Sequence, residues 1–188
     1  ITRDNKLEGL ITIADIATSY MDVHDSTTLS TARTVCKNIV ETLDGALIIG
    51  DEEHVFDRGK VLVAAANPDL MESYIRMGDI VILGNRYESQ LCAIEMQAGC
   101  IVVCEGAPVS MTIKKLAVEN HCTIISTPHD TFTASRLINQ SVPISFFMRT
   151  EGLITFSTEA YTDEVRQVMA KKRHRDFPIH DEQGNYIG

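Results

Sequence analysis

From Gly45 onward, short unbroken apolar runs alternate with longer segments of mixed character. The runs are ALIIG (46–50), VLVAAA (61–66), DIVILG (79–84), CIVVC (100–104) and TIIST (123–127). They are rich in Val and Ile and lack polar alternation, the pattern of strands buried on both faces. The segments between them carry helix punctuation. Asn67-Pro68 supplies an N-cap and a proline at the first helical position, and Gly78 closes that segment. RYESQLCAIEMQAG (86–99) places Leu91, Ile94 and Ala98 on one face and ends at Gly99. Ser110 starts a further helix and Asp130 caps another. An amphipathic helix from about Thr28 to Leu43 leads into the block. Strand–helix alternation with short loops predicts an α/β domain, a parallel sheet covered by helices.

The two ends differ from the middle and resemble each other. ITRDNKLEG (1–9) and IHDEQGNYIG (179–188) both read as strand, tight turn and the start of a second strand. After Gly9 comes LITIADIATSYM. Before Ile179 come a strand LITF (153–156), a helix EAYTDEVRQVMAKK (159–172) and then RHRDFP. The ends are complementary halves of one repeated unit, split by the α/β block.

Within EGLITIADIA (8–17), Thr12 closes a strand-like run and Asp15 falls in the first turn of a following helix. Both side-chain oxygens then face one spot beside the helix N-terminus, where unpaired backbone N–H groups also point. The arrangement suits a sugar diol or a phosphate. Taken alone, the motif favours the simpler reading, in which Thr12 or Asp15 caps the helix, and the rest of the chain has to decide.

Composition narrows the picture. At 188 residues the chain fits one large domain or two small ones, and no apolar run reaches the roughly 20 residues that span a bilayer. The first residues are charged and turn-like, unlike a signal peptide. The five cysteines form no CxxC pair and no zinc-spaced cluster, as expected of reduced core thiols in a cytoplasmic protein. A net charge of −9 argues against nucleic acid as the partner. One basic run, KKRHR (171–175), interrupts the acidity. Lys171 and Lys172 end a helix, where cations complement the dipole.

Taken together, apolar strand, helix, strand, turn, strand, T-x-x-D and helix resemble the CBS domain, a β-α-β-β-α unit that works in pairs. The middle block resembles a DRTGG domain. GNRYESQLCAIEMQAGCIVVCEG (84–106) is similar to that family's G-D-R region, here Gly84-Asn85-Arg86 without the TGG. STPHDTFTASRLI (126–138) is similar to its later T-P-x-D-T-F-x-x-x-R-L-I run. A DRTGG domain inserted between two CBS repeats is the layout of the regulatory region in a subset of family II, manganese-dependent inorganic pyrophosphatases. The resemblance implies a partial CBS repeat at 1–25, the DRTGG domain at 26–145 and a second partial repeat at 146–188.

The resemblance also implies a ligand. CBS pairs typically hold an adenine nucleotide in the cleft between repeats, which makes Thr12 and Asp15 the ribose pair. Thr150 and Thr155 would face adenine. Arg173 and Arg175 would bind phosphate, a task suited to the planar guanidinium fork, with His174 stacking on a base or facing solvent. AMP or ADP is the expected inhibitory ligand and a diadenosine polyphosphate the possible activator, acting on catalytic domains of the parent that use manganese or magnesium. A homodimer is expected, because Leu10, Ile11, Ile13, Leu153, Ile154 and Phe156 would otherwise expose an apolar patch.

Catalysis has no support in the residues. No D-H-H run, G-x-S-x-G or P-loop occurs. His24-Asp25 and His129-Asp130 mimic the HD pair of metal phosphohydrolases, but both sit at turns or helix starts where the aspartates can cap. The chain is expected to be a regulatory module, with a DRTGG-type dimerisation or protein-interaction scaffold as the alternative.

Overall fold

A computed structural model describes residues 1–21, 25–172 and 176–188. The chain divides into two compact units, one built from Ile1–Asp22 with Ile144–Gly188 and the other from Val23–Pro143. The outer unit opens with β1 (Thr2–Arg3) and β2 (Lys6–Leu7), paired antiparallel. Asp4 and Asn5 join them with φ of 49° and 60°. Both central residues of this two-residue turn are thus left-handed, which Asp and Asn tolerate better than other side chains. Leu10 then pairs with Arg149, and α1 (Ile13–Met21) follows.

The second unit departs from the expected single helix at Thr28–Leu43. It contains α2 (Thr28–Thr31), β3 (Thr34–Val35) and α3 (Cys36–Thr42). Arg33, at φ 53°, breaks the run. The cause is local: the Thr28, Ser30 and Thr31 hydroxyls donate to the carbonyls of Asp25 or Thr27, an alternative to continued helix. The freed strand β3 pairs with β5 (Val55–Phe56), which lies after β4 (Ala46–Ile49).

The remaining elements alternate as the sequence predicts: β6 (Val61–Val63), α4 (Pro68–Tyr74), β7 (Ile80–Leu83), α5 (Tyr87–Glu95), β8 (Cys100–Val103), α6 (Met111–Glu119), β9 (Thr123–Ser126) and α7 (Thr131–Leu137). The sheet order is β4-β9-β8-β7-β6. Strands β6 to β9 are parallel, whereas β4 runs antiparallel to β9, so the sheet is mixed rather than wholly parallel. The reason lies in the connections. Each step from β6 to β9 passes through a crossover helix, which enforces parallel pairing. The link from β4 to β6 contains only the two-residue β5 and carries no such constraint.

Alternation along the central strands sends Val81, Leu83, Ile101 and Val103 into a core with Met71, Ala93, Ile94, Ile113 and Ala117 of α4, α5 and α6. Their neighbours Ile80, Ile82, Cys100 and Val102 are equally buried, and α7 packs on β6 and β7. The predicted caps are made. Asn67 accepts from Leu70 N at 3.1 Å, Ser110 from Ile113 N at 3.2 Å, and Asp130 from Phe132 N and Thr133 N at 2.9 Å.

The chain closes in the outer unit with β10 (Phe156–Ser157), α8 (Thr162–Lys172) and β11 (Ile179–His180). β10 and β11 are parallel, a small β-α-β unit. Of the strand expected at 153–156, only Phe156 is paired. The expected apolar patch shrinks accordingly. Phe156 is 8% exposed and meets Phe177 edge-on with centroids 5.2 Å apart, Leu10, Ile11, Leu153 and Ile154 are half-buried, and Ile13 alone of the six is largely exposed.

Candidate functional site

Thr12 and Asp15 flank the first turn of α1 and bond reciprocally. The Thr12 hydroxyl and backbone N–H both donate to Asp15 Oδ2, at 2.7 and 2.8 Å, and Asp15 N donates to Thr12 Oγ1 at 3.3 Å. This is a capping box with aspartate as the returning acid. The cap reading is therefore realised in the fold, and it also fixes the carboxylate beside the helix N-terminus.

A third residue completes the cluster. Arg149 Nε donates to Asp15 Oδ1 at 2.8 Å, and Arg149 Nη2 reaches the same oxygen. Arg149 is positioned by its backbone, which exchanges both hydrogen bonds with Leu10 at 2.9 and 3.0 Å. The approach needs Gly9, where a Cβ would lie 2.2 Å from Met148 Cγ. The Asp15 side chain is 11% exposed and that of Arg149 is 55% exposed. The Thr12 hydroxyl and N–H, followed by Arg149, hold the Asp15 carboxyl below its ordinary pKa, so it is an anion at neutral pH.

The other expected site residues are less concentrated. Thr150 is exposed and follows Arg149 directly, while Thr155 is half-buried at the entry to β10. Arg173, His174 and Arg175 lie outside the described residues, as does His24. Arg149 was not singled out from the sequence. Its only signal was its place beside Thr150 in MRTEG, because a carboxylate near a helix start is a natural partner for a cation.

The HD-like pair at 129–130 is committed elsewhere. Asp130 caps α7, and His129 Nε2 lies 3.2 Å from Asp44 Oδ2. Among the described residues, no group of three or more His, Cys, Asp or Glu side chains is placed to hold a metal ion. Among those residues, too, no helix is long and apolar enough to cross a membrane.

Comparison with known proteins decides the family. Residues 38–141 match the DRTGG domain. The chain belongs to the DRTGG domain family. Beyond that domain, the DRTGG chain is 38% identical, over 98% of its length, to the cobalt-dependent inorganic pyrophosphatase of Clostridium perfringens (strain 13 / Type A). It is 24% identical, over its full length, to a probable manganese-dependent inorganic pyrophosphatase of Thermotoga maritima. The chain spans about a third of the length of these curated relatives, 34% in each case. A solved structure is similar over 98% of this chain and 80% of its own, with a TM-score of 0.89 and 38% identity. It is the CBS and DRTGG domains of the regulatory region of Clostridium perfringens pyrophosphatase, complexed with the activator diadenosine tetraphosphate. The DRTGG chain thus has the fold of a CBS–DRTGG regulatory region, with the α/β unit inserted between CBS-type elements.

Proposed function

We propose that this chain is a regulatory module that binds adenine nucleotides and controls the catalytic region of an inorganic pyrophosphatase. One observation carries the reading: the 38% identity and 0.89 TM-score to a pyrophosphatase regulatory region whose structure holds diadenosine tetraphosphate. In this reading a diadenosine polyphosphate activates and AMP or ADP inhibits. Residues 1–25 and 146–188 serve as the CBS repeats and 26–145 as the DRTGG domain. The parent enzyme hydrolyses pyrophosphate with a divalent metal, cobalt, manganese or magnesium, held outside this chain. Two copies associate as a homodimer in the cytoplasm, where the buried unpaired cysteines remain reduced.

Within the site, Asp15 and Thr12 receive the ribose, Thr150 and Thr155 face adenine, Arg173 and Arg175 hold phosphate and His174 borders the base. The ionised carboxylate at the start of α1 supports this assignment, because it is an acceptor suited to the paired hydroxyls of a ribose. Calorimetry on Asp15→Ala and Arg173→Ala tests it. Each is expected to weaken AMP binding by roughly ten- to a hundred-fold, the usual effect of losing a charged hydrogen-bond partner. Parent-like affinity in both variants would overturn the site.

A second reading has one observation in its favour. Asp15 and Thr12 close a reciprocal capping box at the start of α1, a structural role that needs no ligand. In that case the outer elements form a dimerisation scaffold, and adenine nucleotides give no binding heat.

A further inference from the structure

A carboxylate has about four acceptor positions, two on each oxygen. At Asp15 all four are taken. Oδ2 accepts from the Thr12 hydroxyl and from Thr12 N, and Oδ1 accepts from Arg149 Nε and Nη2. A ribose diol therefore cannot bond to Asp15 until a resident donor leaves.

The two sets of donors differ in what their departure would cost. The Thr12 bonds belong to the capping box, and breaking them leaves the Thr12 N–H at the entry to α1 without its partner and frees the hydroxyl that receives Asp15 N. The Arg149 guanidinium is the more mobile partner. Its side chain is 55% exposed, against 11% for Asp15, while its Cα is pinned by the two backbone bonds to Leu10. It can swing away without disturbing either segment. Once off Asp15 it is a free planar fork of donors beside the ribose position, the geometry that binds phosphate oxygens in pairs.

We infer that Arg149 is a placeholder that sets the ligand preference of this site: it occupies the ribose acceptors of Asp15 when no ligand is bound, and transfers to the phosphate when a nucleotide enters. The inference rests on the reading of Asp15 as the ribose residue. Its consequence is selective. A bare nucleoside must displace Arg149 and gives the guanidinium nothing in return. A nucleotide replaces one anionic partner with another. The exchange makes the site discriminate against unphosphorylated nucleosides.

The experiment is calorimetric titration of the chain, Arg149→Ala and Asp15→Ala with adenosine and with AMP, each variant first checked for a parent-like circular dichroism spectrum. Arg149→Ala is expected to strengthen adenosine binding about two- to fivefold, the contribution of an exposed ion pair. The same change is expected to weaken AMP binding about tenfold or more. If Arg149→Ala misfolds, Arg149→Gln retains most of the stem without the charge, and the same opposite shifts are expected. Equal shifts for both ligands, or no shift for either, would overturn the placeholder while Asp15→Ala still lost AMP. Parent-like AMP binding by Asp15→Ala would instead remove the ribose assignment, and the placeholder with it.

Discussion

Gly59 and Gly78 meet backbone to backbone: a Cβ on Gly59 would stand 2.2 Å from the carbonyl oxygen of Gly78, and their φ values are 84° and 85°. Gly99 closes on the same carbonyl, where its Cβ would lie 3.0 Å away. These contacts set the spacing of the loops that enter β6, β7 and β8. Gly59→Ala combines a left-handed backbone with a backbone clash and is expected to cost about 3 kcal/mol or more in urea unfolding. Gly106→Ala, at φ 59° but facing open space, is the control, with a cost of about 1 kcal/mol. Equal losses at the two positions would show that the close approach contributes nothing.

Asp79 follows Gly78 and is 2% exposed. Its two carboxylate oxygens accept from Lys60 N and Arg76 N, both at 2.9 Å, joining the start of β6 to the turn before β7. Asp79→Ala leaves two part-buried N–H groups without their partners. A loss of about 3 kcal/mol is expected, at 1–3 kcal/mol for each stranded donor. A denaturation midpoint unchanged from the parent would contradict this.

The cysteines of the sheet unit are predicted to be inert. Burial pushes Cys36 and Cys104 up to about 11 and Cys122 to about 12, and holds Cys100 well above the ordinary thiol value. Cys92 is raised by burial as well. Thiolate is the reactive form, so the native chain should leave a disulfide reagent almost unconsumed at pH 8 and release five equivalents once unfolded. Rapid labelling of any one thiol in the native state would contradict the packing described.

Acid should destabilise the chain through its turn and cap aspartates. Asp15, Asp25, Asp130 and Asp181 each have a lowered pKa because hydroxyl, amide or backbone N–H groups donate to the carboxylate. A depressed folded-state pKa adds stability above the unfolded value and forfeits it as pH falls through the folded value. Stability should thus hold to about the ordinary aspartate value of 3.8 and fall progressively below it. Melting temperatures between pH 3 and 6 check this, and a decline centred near pH 6 would implicate histidine instead.

How much of this was legible in the sequence depended on how local the signal was. Asn67, Ser110 and Asp130 announced their helices because a cap acts within three residues, and the Val- and Ile-rich runs announced the central strands. The direction of β4 was hidden, since nothing within ALII says whether its partner β9, almost 80 residues later, runs parallel or antiparallel. The break at Arg33 was obscured by an apolar spacing that fits a helix, while the competing Ser and Thr hydroxyl bonds show only in three dimensions. Asp79 read as the first residue of a strand, and its role in gathering two turns needs the fold. The T-x-x-D pair was visible from its spacing. Arg149, 134 residues from Asp15, was brought to it by strand pairing at Leu10.

The central claim is tested most directly by calorimetric titration of the unaltered chain with diadenosine tetraphosphate, alongside AMP and pyrophosphate. A saturable heat with both adenine ligands, and none with pyrophosphate, is the predicted result for a nucleotide-sensing module. No saturable heat with either adenine ligand would contradict the account and leave the scaffold reading in its place.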